Sequence, residues 1–105
     1  MKYKLSLKKP IAKEALSALV KKFPNKFSYI GDDVVQMEVE FLDEWGVPGY
    51  STVGIRPSKD NKKLIVDIRK RAFPRYVTEN PFFEWGILED LGDHLKKALG
   101  EEVVE

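Results

Sequence analysis

No cysteine occurs among the 105 residues, so the chain can form no disulfide, no thiolate metal site and no cysteine nucleophile. Histidine is confined to His94, and Gln36 is the only glutamine. A metal site built around His94 would have only carboxylates to complete it, and the i, i+4 pair Asp90 and His94 supplies just two ligands on one helical face. Asp32 and Asp33 follow Gly31 but fit no calcium-loop spacing. Neither GxGxxG nor GxxxxGK[ST] is present, so the usual backbone cradles for a nucleotide are missing. The expectation is therefore no metal, no cofactor and no catalytic residue. Long apolar runs are also absent. The start, MKYKLSLKKP, alternates lysine with apolar residues where a secretory signal would be continuously apolar, and no stretch approaches a membrane span. A cytoplasmic protein with no membrane partner is expected.

Charge, by contrast, is abundant and segregated. The net value of +1 hides four blocks. Residues 1–30 carry eight lysines against Glu14, and residues 31–50 carry six carboxylates and no cation. Residues 51–76 hold eight Lys and Arg against Asp60 and Asp67, and residues 77–105 hold eight carboxylates against Lys96 and Lys97. Blocks of this kind either pair in the fold or leave opposed surface fields.

A chain of this length suits one domain, residues 1–105, with a core of its own. YKLSLK has the period of two of a half-buried strand, with Tyr3, Leu5 and Leu7 on one side. After Pro10, Ala12, Ala15, Leu16, Leu19, Val20 and Phe23 recur at helical spacing until Pro24. KFSYIGDDVVQMEVEF holds two apolar pieces around a Gly-Asp-Asp turn or bulge, and the second is a clear strand with Val35, Met37, Val39 and Phe41 on one face. LDEWGVPG reads as a loop, YSTVGIR as a strand, SKDNKK as a turn, and KLIVDIRKR as a strand with Leu64, Val66 and Ile68 inward. A last helix starts near Asn80 and Pro81, runs along Trp85, Leu88, Leu91, Leu95 and Leu99, and ends at Gly100. The order β-α-β-β-β-α predicts an α+β two-layer sandwich. Its four-stranded sheet is antiparallel, or mixed at the first strand, with two helices on one face.

Two functional readings follow. With strands ordered as in the chain, the open face of the sheet would place Glu38 and Glu40 beside Arg56, Arg69 and Arg71, and cross-strand ion pairs would absorb part of the basic stretch RKRAFPRY. Lys70 falls on the helix-covered side by parity, so it has to snorkel at an edge or mark where the strand ends. Phe73, Arg75 and Tyr76 lie past the strand, while Trp45 and Tyr50 sit in and after a Gly-Pro loop. Aromatics and arginine are enriched at interface hot spots. These five residues, in loops 42–50 and 72–83, are the expected partner-binding surface of a small non-enzymatic protein-binding domain of the inhibitor, immunity, adaptor or accessory-subunit type. The alternative is a nucleic-acid-binding module in which Lys59, Lys62, Lys63, Arg69, Arg71 and Arg75 follow a phosphate backbone.

Overall fold

The computed structural model describes residues 1–105. The elements are β1 (Lys2–Ser6), α1 (Ala12–Lys22), β2 (Phe27–Gly31), β3 (Val34–Leu42), β4 (Pro48–Pro57), β5 (Lys63–Asp67), a 3-10 turn (Lys70–Ala72), α2 (Arg75–Thr78) and α3 (Phe83–Leu99). They build an α+β architecture in which helices cover one face of a single antiparallel sheet, ordered β1-β5-β4-β3-β2.

The sheet has five strands where the sequence reading expects four. The additional strand is β2, and a short turn separates it from β3. Asp33 takes a left-handed conformation (φ 56) that Asp tolerates better than most residues, so Gly31-Asp32-Asp33 closes a hairpin between the two apolar pieces. β1 pairs antiparallel with β5 at the opposite edge from β2, which settles the first strand and makes α1 carry the chain across the whole sheet.

Alternation along the strands sends Leu64, Val66, Ile68, Val53, Ile55, Val35, Met37 and Phe27 to the covered face, where they meet Leu16 and Leu19 of α1 and Leu91 and Leu95 of α3. Each such large side chain contributes about 1.5–3 kcal/mol by leaving water. The stripe of α3 differs from the expected one. Phe83, Ile87, Leu91 and Leu95 are buried, while Trp85 and Leu99 are exposed. The strict i, i+4 line through Phe83 and Ile87 gives a continuous apolar ridge, and Trp85 lies about 200° around the helix from Phe83.

Long-range contacts fix the helices. α1 has no cap of its own. Instead the Asn61 side chain, from the turn between β4 and β5, accepts from the Lys13 N–H (2.8 Å) and donates to the Pro10 carbonyl (2.7 Å). Asn80 does not cap α3; its side chain accepts from the Phe82 N–H at 2.9 Å one turn earlier, and Phe82 stands at the helix start. Lys70 stands past the end of β5, in the 3-10 turn, and its ammonium meets Glu84 of α3 at 2.9 Å. His94 is only 17 % exposed. It is wedged edge-on against the rings of Phe23 and Phe27, with Nδ1 at 2.8 Å from the Asp90 carbonyl oxygen. None of the helices is long and apolar enough to cross a membrane.

Candidate partner surface

β3 and β4 stay paired from Val35 opposite Ile55 out to Leu42 opposite Pro48, whereas β2 stops opposite Met37 and the β5 ladder stops opposite Gly54. The distal half of this hairpin therefore projects beyond both neighbouring strands. Its turn is tightly specified: the Asp43 carboxylate accepts from the N–H groups of Trp45 (2.9 Å) and Val47 (2.7 Å), and Gly46 takes the left-handed conformation (φ 75) of a three-residue hairpin loop. The loop is an ordered turn, and it holds Trp45 85 % exposed at its apex.

Register decides what surrounds that tryptophan. On the open face Tyr50 stands opposite Glu40, and Pro48 opposite Leu42. Tyr50, Leu42 and Val47 are all more than half exposed. Tyr76 of α2 reaches the same end and donates its hydroxyl to the Leu42 carbonyl at 3.0 Å. Loops 42–50 and 72–83 are thus joined. Partial burial, followed by the charges of Asp43 and Glu44, raises the Tyr76 phenol above its ordinary pKa, so the hydroxyl stays a donor throughout the neutral range. Four carboxylates, Glu38, Glu40, Asp43 and Glu44, belong to the same hairpin, and no cation pairs with any of them within 4.0 Å.

On the covered side, the hairpin is anchored by aromatic contacts. The Phe41 ring lies over the backbone of Gly49, and a Cβ there would stand 2.6 Å from Phe41 Cε2. Phe41 then meets Phe73 at 6.0 Å between ring centroids, and Phe73 meets Phe83 at 4.9 Å. Between this wall and α3 runs a groove of ≈ 450 Å³, apolar along Val39, Phe41, Val77 and Ile87 and lined also by the Lys26–Asp90 ion pair (2.8 Å).

Of the five expected partner-binding residues, Trp45, Tyr50, Arg75 and Tyr76 are exposed at this end of the molecule. Phe73 is not. It is 6 % exposed, a core residue between Phe41 and Phe83, and its side chain cannot reach a partner. Arg75 projects into solvent and pairs only with Glu79, at 2.9 Å. Leu42 and Val47 complete the patch; their exposure depends on how far β3 and β4 outrun their neighbours, which spacing in the chain does not reveal.

The basic residues divide. Lys59, Lys62 and Lys63 lie before or at the start of β5, and Arg69, Arg71 and Arg75 lie beyond its other end. The five residues of β5 put about 17 Å between the two groups. Lys62 and Lys63 instead share a depression with Lys8 and Lys9. The expected ion pairs between Glu38 or Glu40 and Arg56, Arg69 or Arg71 do not form. β4 separates the signs: Glu38 faces Thr52 and Glu40 faces Tyr50, whereas Arg56 faces Ile65.

No three or more His, Asp or Glu side chains converge as a metal site would require. Comparison of the chain with protein-family models, curated proteins and solved structures finds no match in any of the three.

Proposed function

We propose that this chain is a small non-enzymatic protein-binding domain that engages a basic, apolar-tipped segment of its partner through the β3–β4 hairpin end. The observation that carries the reading is the grouping of exposed Leu42, Trp45, Val47 and Tyr50 on a hairpin whose backbone is pinned by Asp43 and Gly46, joined there by exposed Tyr76 of α2. Large aromatics on a pre-ordered turn bury much area and lose little conformational freedom on binding, which is why they concentrate binding energy. The unpaired carboxylates of the same hairpin supply the partner's sign, since complementary charge speeds encounter and rejects acidic competitors. An inhibitor, immunity, adaptor or accessory-subunit role is consistent with such a surface.

The test is site-specific photo-crosslinking in native extract, with a photoreactive residue at position 45 or 50 and a control at Ser17, on the outer side of α1. A discrete adduct to a basic protein at 45 and 50, absent at 17, supports the reading. Its absence, or the same pattern at all three positions, contradicts it.

A further inference from the structure

The half of the open sheet face farthest from the hairpin end carries a second surface that shares no residue with it. Register places Lys2 and Lys4 of β1, Lys63 and Arg69 in or just after β5, and Arg56 of β4 on this face. None of these five cations has a carboxylate within 4.0 Å. Asp67 lies among them, with the Met1 α-amino group at 4.0 Å, and Glu105 shares a depression with Lys63 at the edge of the face. Unpaired cations on one face of a sheet produce a positive field that attracts an extended polyanion.

The face is not flat. Gly54 lies in one row with Lys2, Asp67, Gln36 and Ser28, and its missing side chain leaves a recess of ≈ 230 Å³. Gln36, Thr52, Asp67 and Arg69 line the recess, and Ile30, 59 % exposed, forms an apolar wall. The lining offers donors from an amide, a hydroxyl and a guanidinium, and acceptors from an amide, a hydroxyl and a carboxylate. A planar heterocycle whose edge carries both donors and acceptors satisfies such a lining, whereas a simple anion would meet the Asp67 carboxylate unfavourably.

We infer that this face binds single-stranded nucleic acid, with one base seated in the Gly54 recess and the flanking phosphates on Lys2, Lys4, Arg56 and Lys63. Single strands fit because only an unpaired base can turn its edge into a sheet surface. The phosphate contacts supply affinity and salt dependence, and the recess supplies base discrimination. A closed duplex would leave the recess empty. An acidic protein would meet the cations and also leave it empty.

Anisotropy titration of the full chain with labelled oligouridylate and oligodeoxythymidylate, over a range of salt concentrations, tests this. Binding to one or both strands with a steep salt dependence is expected, and the stronger of the two shows whether the 2′-hydroxyl is read. Gly54→Val fills the recess into open space, since no atom lies within 4 Å of an added Cβ. It should weaken binding about tenfold with the salt slope unchanged. Lys4→Gln with Arg56→Gln should lower the slope by about 1.4, the single-strand value for two lost phosphate contacts. Gly54→Ala, the smaller filling, serves if the valine variant does not melt cooperatively. The inference fails if neither oligonucleotide binds at low salt, or if filling the recess changes nothing. It fails equally if inorganic polyphosphate or polyglutamate competes as well as the oligonucleotide does.

Discussion

Gly49 and Gly54 sit five residues apart on β4, and one added methyl group separates their roles. At Gly49 the new carbon would stand 2.6 Å from the Phe41 ring, whereas at Gly54 it meets no atom within 4 Å. Gly49→Ala should therefore displace Phe41 and cost about 1–3 kcal/mol, and Gly54→Ala should be neutral or stabilise by up to about 1 kcal/mol, both read from chemical denaturation. The aromatics divide the same way. Phe73→Ala should cost about 3–5 kcal/mol, as removal of a core phenylalanine does, while Trp45→Ala should change stability by less than about 0.5 kcal/mol. If Phe73→Ala leaves the melting curve intact, the anchoring of the hairpin through Phe41, Phe73 and Phe83 is wrong. These distinctions were only partly legible in the sequence. Trp45 and Tyr50 declare themselves by standing at a Gly-Pro loop that no apolar periodicity absorbs. Phe73 carries no such signal: the chain leaves the strand just before it, and only the return of α3 over the sheet supplies the wall that buries it.

At the scale of elements, α3 is held by one charged contact whose sign of pH dependence is fixed. The Lys70 ammonium, through its hydrogen bond and charge, holds the Glu84 carboxyl below its ordinary pKa. A carboxyl depressed in the folded state contributes stability that is fully present above its unfolded pKa and is lost as pH falls through the folded value. Glu84→Gln should therefore flatten the acid limb of a stability profile recorded through and below the ordinary carboxylate range, leaving its neutral part parallel to that of the wild type. An acid limb of unchanged slope would show that the pair does not persist in solution. Parity leaves Lys70 either snorkelling at an edge or marking the strand's end; β5 ends at Asp67, and Lys70 reaches Glu84 from the 3-10 turn, where strand parity no longer applies. Strand periodicity revealed β3, β4 and β5. β2 was harder to see, since its residues 28–31 are exposed and its apolar pattern is broken by the bulge between Tyr29 and Gly31. Sheet order was invisible to local patterning. The position of β1 at β5 depends on a crossing helix, and that order determines which charges become neighbours.

For the molecule as a whole, the four charge blocks of the sequence resolve into two surfaces of opposite sign. Four of the six carboxylates in block 31–50 lie on the β3–β4 hairpin, while Asp32 and Asp33 sit in the β2–β3 turn at its other end; cations from both basic blocks gather on the β1–β5–β4 half of the open face. The blocks pair in part, through Lys8–Glu102, Lys13–Asp33, Lys26–Asp90 and Lys70–Glu84, but β4 lies between the hairpin carboxylates and the open-face cations, so a near-zero net charge coexists with two local fields. The hairpin end adds exposed aromatics to its field, which is why we propose it as the protein-facing surface, while the cationic half has a polar recess in their place. Crosslinking from position 45 tests that assignment most directly. The expected result is one discrete adduct carried by a basic protein, reproduced from position 50, suppressed by high salt and absent from the Ser17 control. An extract in which position 45 gives no adduct, or gives the same diffuse labelling as position 17, would contradict it.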